Sequence, residues 1–154
     1  MSLTMATVER VSPDAAHAAA LIAKAEAELA ERYSPEHRHG LAVDALLAQQ
    51  ARFFVIMHDD EAAGCGGYVV FAPGLAELKR MYVARPHRGH GLSRQVLRAI
   101  EAAAAAEGVR VMHLETGTLQ SEALALYLSA GYRVCGKFGA YTDSPVSVFM
   151  EKHL

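Results

Sequence analysis

The sequence predicts an α+β fold in which a central mixed β-sheet is covered by helices. Runs rich in β-branched and aromatic residues recur along the chain, and segments with apolar residues at helical spacing lie between several of them. Three strand-like runs follow one another through short turns within residues 52–83, which favours antiparallel neighbours there. The length of 154 residues predicts a single domain over residues 1–154.

The first elements are a strand and two helices. Residues 6–11 alternate as a short strand, after which Ser12, Pro13 and Asp14 supply a cap, a first-turn proline and an acidic first turn. The helix that they start is predicted to continue to about Arg32. A polar break follows, and residues 41–50 carry apolar side chains at the spacing of a second, shorter helix.

The rest of the chain alternates strands and helices. Asp59 and Asp60 form the turn of a hairpin, and Gly108 and Gly131 stand where helices end. The remaining predicted elements are strands over residues 52–58, 63–71, 77–83, 111–116, 132–135 and 146–152, and helices over residues 92–107 and 121–130.

Composition excludes several classes of protein. A formal net charge of -2 argues against a general binder of nucleic acid or of anionic membranes, which would carry a basic excess. No uninterrupted apolar run is long enough for a membrane span, so no membrane association is predicted. Cys65 and Cys135 lack a CxxC spacing and are predicted to be buried thiols in a reducing cytoplasm.

The most informative stretch is residues 77–93, ELKRMYVARPHRGHGLS, in which a strand leads through a basic, glycine-interrupted turn into a helix. Glycines let the backbone approach an anion, and the free N–H groups and positive dipole end of the next helix point at it. Residues 88–93 are therefore predicted to hold a pyrophosphate. The alternative is an ordinary strand-to-helix loop.

Two motifs together resemble the GNAT superfamily of acetyl-coenzyme A dependent N-acetyltransferases. Residues 88–93, RGHGLS, match the acyl-CoA signature of that family except at Ser93, where glycine or alanine is usual. Residues 120–127, QSEALALY, followed by Gly131 and Tyr132, resemble the helix and turn of the family, with Gln120 where asparagine is commoner. The resemblance covers about residues 52–153.

The resemblance implies a fold and a co-substrate. The central sheet is expected to be mostly antiparallel, with a splayed strand pair that binds acyl-CoA, and acetyl-CoA is the expected co-substrate. Exposed edge strands favour a homodimer. Main-chain groups are expected to make most of the cofactor contacts, at Met81, Tyr82, Val83, Arg88, Gly89, His90, Gly91, Leu92, Ser93, Gln120 and Tyr127.

Acetyl transfer to an amine needs a base for the ammonium, a donor to the oxyanion and an acid for the thiolate. The resemblance implies that Tyr127 donates a proton to the thiolate, that Glu77 removes the ammonium proton and that the Met81 amide polarises the acetyl carbonyl. Direct transfer in a ternary complex is expected, because neither cysteine lies on a catalytic motif. The alternative for Tyr127 is a tyrosine half-buried in the core, and the alternative for Glu77 is a solvated glutamate at the start of a strand.

The acceptor is expected to be a primary amine of a small metabolite, amino acid or peptide. Residues 36–38 with Tyr141, Thr142 and Asp143 are candidate acceptor-pocket residues, although plain surface loops are an alternative. Lys79 and Arg80 are interpreted as a solvated strand face.

Other functions stay open at this point. They are a non-catalytic acyl-CoA-binding module and an acetyltransferase of a protein or aminoacyl-tRNA amine, the latter poorly supported by the net charge. The histidines at positions 37, 39, 87 and 90 lack further ligands in the sequence, and no metal is predicted.

Overall fold

The computed structural model describes residues 6–34 and 42–154, and its strands form one mixed sheet in the order β1-β2-β3-β4-β5-β7-β6. The strands are β1 Thr7–Val11, β2 Arg52–His58, β3 Glu61–Ala72, β4 Leu75–Val83, β5 Val111–Gly117, β6 Arg133–Cys135 and β7 Ser147–His153. The helices are α1 Ala16–Ala30, α2 Val43–Ala48, α3 Leu92–Ala106 and α4 Ser121–Ser129, with a short 3₁₀ turn at Arg85–His87 before α3.

The sheet is antiparallel except between β4 and β5, which are joined by α3 and run parallel. This parallel pair is short. It begins where Leu75 faces Val111 and ends where Glu77 faces His113. From Leu78 onward, the β5-facing edge of β4 has no strand partner in the described part of the chain. The mixed, mostly antiparallel sheet with a splayed strand pair is thus confirmed.

A β-bulge in β4 lies directly beyond this point. The register of β3 against β4 shifts between Cys65 and Gly67, and Arg80 takes a φ of 55°. A left-handed backbone costs a non-glycine residue about 1–2 kcal/mol. The extra residue changes the direction of the side chains that follow, where the strand borders the gap.

Two apolar clusters hold the helices on opposite faces of the sheet. On one face, Val96 and Ile100 of α3 pack with Tyr68 and Met112. On the other face, Leu21 of α1 packs with a cluster that includes Phe53 of β2. Full burial of a large apolar side chain contributes about 2 kcal/mol. Both clusters therefore fix the sheet, and with it the gap between β4 and β5.

The sequence predictions for the start of α1 and for the Lys79–Arg80 face of β4 need correction. The helix α1 begins at Ala16, and the Ser12 hydroxyl bonds to Asp14 instead of capping the helix, because the amide of Ala15 bonds to the Ser12 carbonyl and closes a turn first. The face with Lys79 and Arg80 is not solvated, since these side chains are 10% and 4% exposed.

Each of these buried cations has a carboxylate partner. Lys79 pairs with Glu77, and Arg80 pairs with Glu26 of α1. Of the two cysteines, Cys65 is buried as predicted, whereas Cys135 on the short β6 is only partly buried.

Candidate active site

A cavity of about 420 Å³ fills the gap between β4 and β5. Its walls are the unpaired edge of β4, the loop before α3, the end of β5, the start of α4 and the C-terminal end of α1. The structure brings together at this cavity all but one of the cofactor residues that the sequence predicts, namely Met81, Tyr82, Val83, Arg88, Gly89, Gly91, Leu92, Ser93, Gln120 and Tyr127. His90 is exposed and lies outside the lining.

The loop before α3 can hold an anion with its main chain. Gly89 and Gly91 have φ angles of 84° and 72°, which cost any other residue about 1–2 kcal/mol. Gly91 caps α3 with no side-chain hydrogen bond, and the first turn of the helix carries no acidic residue. The first amides of a helix have no intrahelical partner. They are therefore available to a phosphate group.

The Arg88 side chain is directed away from this anion site. Its Nε donates to the Val83 carbonyl at 2.8 Å, and its Nη2 donates to both carboxylate oxygens of Glu28 at 2.9 and 3.1 Å. The guanidinium also lies over the Tyr82 ring, 5.7 Å from the centroid. Arg88 thus fixes the loop to β4 and α1 and leaves the main chain to face a ligand.

Glu28 of α1, which belongs to neither sequence motif, is the carboxylate that fastens this lip of the cavity. Burial alone would raise the pKa of Glu28, but hydrogen bonds from Tyr82 and Arg88 and the charges of Arg88 and Arg85 together lower it. Burial and the bond to Glu28 raise the pKa of Tyr82 to about 12. Only knowledge of how α1 lies on the sheet would have revealed this contact.

The opposite lip is held by Tyr33, which lies directly after α1 and likewise belongs to neither sequence motif. Its hydroxyl oxygen accepts the Leu119 amide at 3.0 Å. A Cβ on Gly117 would lie 1.8 Å from that oxygen, so only glycine leaves room for the tyrosine. The end of α1 therefore spans the gap and contacts both lips.

Tyr127 of α4 is buried and lines the cavity. Its ring packs edge-on against Tyr132, with the centroids 5.7 Å apart. Burial raises the pKa of Tyr127, so the hydroxyl keeps its proton at neutral pH. No residue in the described ranges forms a hydrogen bond with that hydroxyl. The proton is therefore available to a group in the cavity.

Glu77 is a buried carboxylate at the closed end of the gap. Its Oε2 lies 2.9 Å from Lys79 Nζ and accepts a short hydrogen bond from the Tyr141 hydroxyl. Tyr141 itself lines the cavity, whereas Thr142 and Asp143 are exposed and do not. The other predicted acceptor residues, Glu36, His37 and Arg38, lie outside the described residues.

The profile of the Acetyltransferase (GNAT) family matches residues 18–132. The chain belongs to this family. It is therefore an acyltransferase that uses acetyl-CoA as its co-substrate, as the sequence motifs predict. Over 149 residues it is 36% identical to the IAA acetyltransferase of Azospirillum brasilense, an alignment that covers 96% of this chain and 97% of that protein.

Solved structures agree with this assignment. A protein from Klebsiella pneumoniae described as an acyl-CoA N-acyltransferase superposes with a TM-score of 0.83 at 35% identity, covering 97% of this chain and 98% of that one. A GNAT acetyltransferase from Elizabethkingia anophelis with acetyl-CoA bound shares the fold, with a TM-score of 0.73 at 16% identity and coverage of 97% and 98%.

The residues of this acetyltransferase fit acetyl-CoA. The unpaired β4 edge offers main-chain groups to an extended pantetheine arm, and the positive-φ glycines with the free α3 amides suit a pyrophosphate. Gln120 plays a structural part at this end. Its side-chain oxygen accepts the Gly117 amide at 3.0 Å and closes the turn between β5 and α4.

Two histidines near the glycine loop of the acetyltransferase, His87 and His90, both contact His58. His87 Nδ1 lies 3.0 Å from His58 Nδ1, and His87 Nε2 lies 2.9 Å from Glu61. The exposed His90 ring packs against His58. Among residues 6–34 and 42–154, no group of three or more His, Cys, Asp or Glu side chains is placed to hold a metal ion. His37 and His39 lie outside those ranges.

The described part of the chain contains no helix with the length and apolarity needed to cross a bilayer.

Proposed function

We propose that this acetyltransferase moves the acetyl group of acetyl-CoA to a primary amine of a small metabolite, amino acid or peptide, by direct transfer in a ternary complex. One observation carries the proposal. A buried carboxylate, Glu77, and a buried tyrosine hydroxyl with a raised pKa, Tyr127, line the same cavity beside the unpaired β4 edge. A base and an acid on the two sides of one gap are what amide formation from a thioester requires.

Each group has a defined role in this proposal. Acetyl-CoA supplies the activated thioester. Glu77 takes the ammonium proton of the acceptor, directly or through water, and the free amine forms the new C–N bond. The Met81 amide donates to the carbonyl oxygen as negative charge develops there. As the C–S bond breaks, Tyr127 gives its proton to the departing thiolate. The nitrogen loses a second proton as the amide forms, and this proton restores the Tyr127 hydroxyl.

The thiols support direct transfer over an acetyl-enzyme. Cys65 is fully buried, and burial raises its pKa to about 12, so almost no thiolate exists at neutral pH. Its Sγ donates to the Arg80 carbonyl. Cys135 lies on β6, away from the lining of the cavity. A covalent route needs an activated nucleophile, which neither thiol supplies.

The cofactor is assigned to the main chain of β4 and of the following loop. We assign its pantetheine arm to Met81 and Val83, and its pyrophosphate to the amides of residues 88–93. Since Arg88 occupies the Val83 carbonyl, the Val83 amide is the group left for the ligand. Tyr82 and Gln120 support the two lips through their side chains.

Two further observations bear on the setting of the enzyme. The two unpaired thiols support a reducing cytoplasm. The exposed Val134 on the edge strand β6 supports a homodimer of single-domain chains, which sedimentation analysis would test.

The test has two stages. Thermal unfolding is measured with and without acetyl-CoA, and a panel of amines, together with IAA from the name of the Azospirillum relative, is then screened for release of free coenzyme A. We expect a rise in Tm with acetyl-CoA and turnover with at least one small primary amine. Binding without turnover of any amine would favour an acyl-CoA-binding module, and the absence of binding would refute the proposal.

A further inference from the structure

Glu77 is held through only one of its two oxygens. Its Oε2 accepts the Tyr141 hydroxyl and lies 2.9 Å from Lys79 Nζ. Its Oε1 accepts no hydrogen bond from a residue in the described ranges. An unpaired oxygen that was fully buried would have no hydrogen-bond partner at all, and among those same residues the one such buried atom is His113 Nδ1. Glu77 Oε1 is therefore accessible to water. The free oxygen is therefore open to the cavity that Glu77 lines.

The position of Tyr141 is set by aromatic packing. Tyr141 lies on the segment between β6 and β7, and its ring contacts Phe138 and Phe149 edge-on, at centroid distances of 5.3 and 5.5 Å. Phe138 in turn packs on His113, the cross-strand neighbour of Glu77, at 4.8 Å. This aromatic contact fastens the segment to the sheet and directs the hydroxyl at Glu77.

Lys79 completes a closed set of three groups. Its Nζ lies 2.9 Å from Glu77 Oε2, donates to the Tyr141 hydroxyl at 3.2 Å and lies 5.5 Å from the centre of that ring. The Lys79 side chain is 10% exposed and that of Glu77 is 12% exposed. Leaving either charge without its partner at such a site is costly. The three side chains therefore hold one another in place.

We propose that Lys79 and Tyr141 are positioning residues that hold Glu77 through its Oε2 and direct its free Oε1 toward the acceptor amine. This inference rests on the proposed function, in which Glu77 removes the ammonium proton. A positive charge and a hydrogen bond to Oε2 both favour the carboxylate form. A single free oxygen then accepts the proton, which gives the base a defined direction.

Titratable and charged groups from three elements surround Glu77. Lys79 lies on the same strand, β4, His113 and Glu115 lie on the neighbouring β5, and Tyr141 lies on the segment between β6 and β7. Removal of the Lys79 charge or the Tyr141 hydroxyl removes a partner that favours the carboxylate. The acidic limb of kcat/KM should therefore move to higher pH, whereas the KM for acetyl-CoA should stay unchanged.

The experiment compares Tyr141→Phe and Lys79→Met with the matched control Tyr68→Phe. Tyr68 likewise donates to a carboxylate, that of Glu107, but neither residue lines the cavity. We expect kcat to fall about tenfold in the first two variants and to stay unchanged in the control. Glu77→Gln identifies the limb that belongs to Glu77, because that limb disappears in this variant.

A second readout needs no substrate. Carbon-13 NMR of the side-chain carboxyl groups follows the titration of Glu77 in the ligand-free protein, with its signal assigned by its absence in Glu77→Gln. In Tyr141→Phe and Lys79→Met, the titration should move to higher pH, in parallel with the kinetic limb.

The outcomes separate the two proposals. A lower kcat with unmoved titration would show a merely structural role and overturn the positioning proposal, as would a titration equal to that of the wild type in both variants. If the wild-type protein acetylates no amine, the proposed function fails. The carboxyl titration still decides in that case whether Lys79 and Tyr141 hold Glu77.

Discussion

The two ends of the cavity are built from different parts of the polypeptide. At the α3 end, main-chain amides face the ligand, and the Arg88 guanidinium is turned away to Glu28. At the closed end, side chains carry the charge, with Glu77, Lys79 and Tyr141 in mutual contact. The first end therefore depends mainly on the backbone angles of its glycines, whereas the second depends on the identity of its side chains.

The largest effect is expected at the side-chain end. Glu77→Gln keeps the shape of the side chain but cannot accept the ammonium proton, so kcat should fall about 10³-fold with little change in the KM for acetyl-CoA. Steady-state kinetics with both substrates measures the two parameters. Glu122→Gln, which neutralises an exposed carboxylate at the same cavity, is the control and should match the wild type. Equal losses in the two variants would contradict a special role for Glu77.

Tyr127→Phe should come next, with kcat about 10²-fold lower, because the thiolate loses its proton donor. Tyr132→Phe is the matched control. Tyr132 packs against Tyr127, but its hydroxyl donates to Glu101. Turnover of the Tyr127 variant at the rate of the control would remove Tyr127 from the mechanism.

The main-chain end is probed through its glycines. Gly91→Ala forces an alanine into a φ of 72°, at a cost of about 1–2 kcal/mol. If the loop relaxes away from that angle, the amides turn from the phosphates, and the Kd for acetyl-CoA should rise about tenfold with kcat retained at saturation. Calorimetric titration measures the Kd. Gly136→Ala, where a Cβ meets no atom within 4 Å, should bind acetyl-CoA normally.

The smallest effect concerns the clamp between α1 and the loop. The pKa of Glu28 is depressed in the folded protein, so its contribution to stability is present above the unfolded carboxyl pKa and is lost as the pH falls through the lower folded value. Glu28→Gln should lower the free energy of unfolding by about 1 kcal/mol at pH 7.

Urea unfolding at neutral and acidic pH measures this loss. The difference between Glu28→Gln and the wild type should shrink in acid, where the wild-type carboxyl is also protonated. Asp60→Asn, at an exposed turn residue, is the control and should show little change at either pH. A difference that persists unchanged in acid would contradict the assignment of the effect to the Glu28 charge.

The sequence predicted most of the fold because the signals are local. Strand β2 has the predicted bounds, and α3 and β5 end within one residue of them, since apolar periodicity and terminal glycines depend on neighbours along the chain. The bulge at Arg80 was not predicted, because arginine has no preference for a positive φ and the bulge is imposed by pairing with β3.

The difference between local signals and tertiary contacts also determines which parts of the candidate site could be predicted from the sequence. The glycine loop is one continuous motif, so it was predicted, and the structure places nearly all of its residues at the cavity. The contact between Tyr141 and Glu77 joins residues 64 positions apart, and the clamp between Glu28 and Arg88 joins residues 60 positions apart. Several other carboxylates were equally available to each partner, and only the packing of α1 and of the β6–β7 segment selects among them.

The unpaired edge of β4 has a consequence for the lifetime of the chain. A ligand that binds only the folded state at 100 times its Kd adds about 2.7 kcal/mol to stability, which lowers the unfolded population by about two orders of magnitude. We expect degradation by a protease to slow by that factor when acetyl-CoA is abundant, if cleavage follows the unfolded population. The abundance of this acetyltransferase would then follow the supply of its own co-substrate, and pulse-chase measurement at varied acetyl-CoA levels would show whether it does.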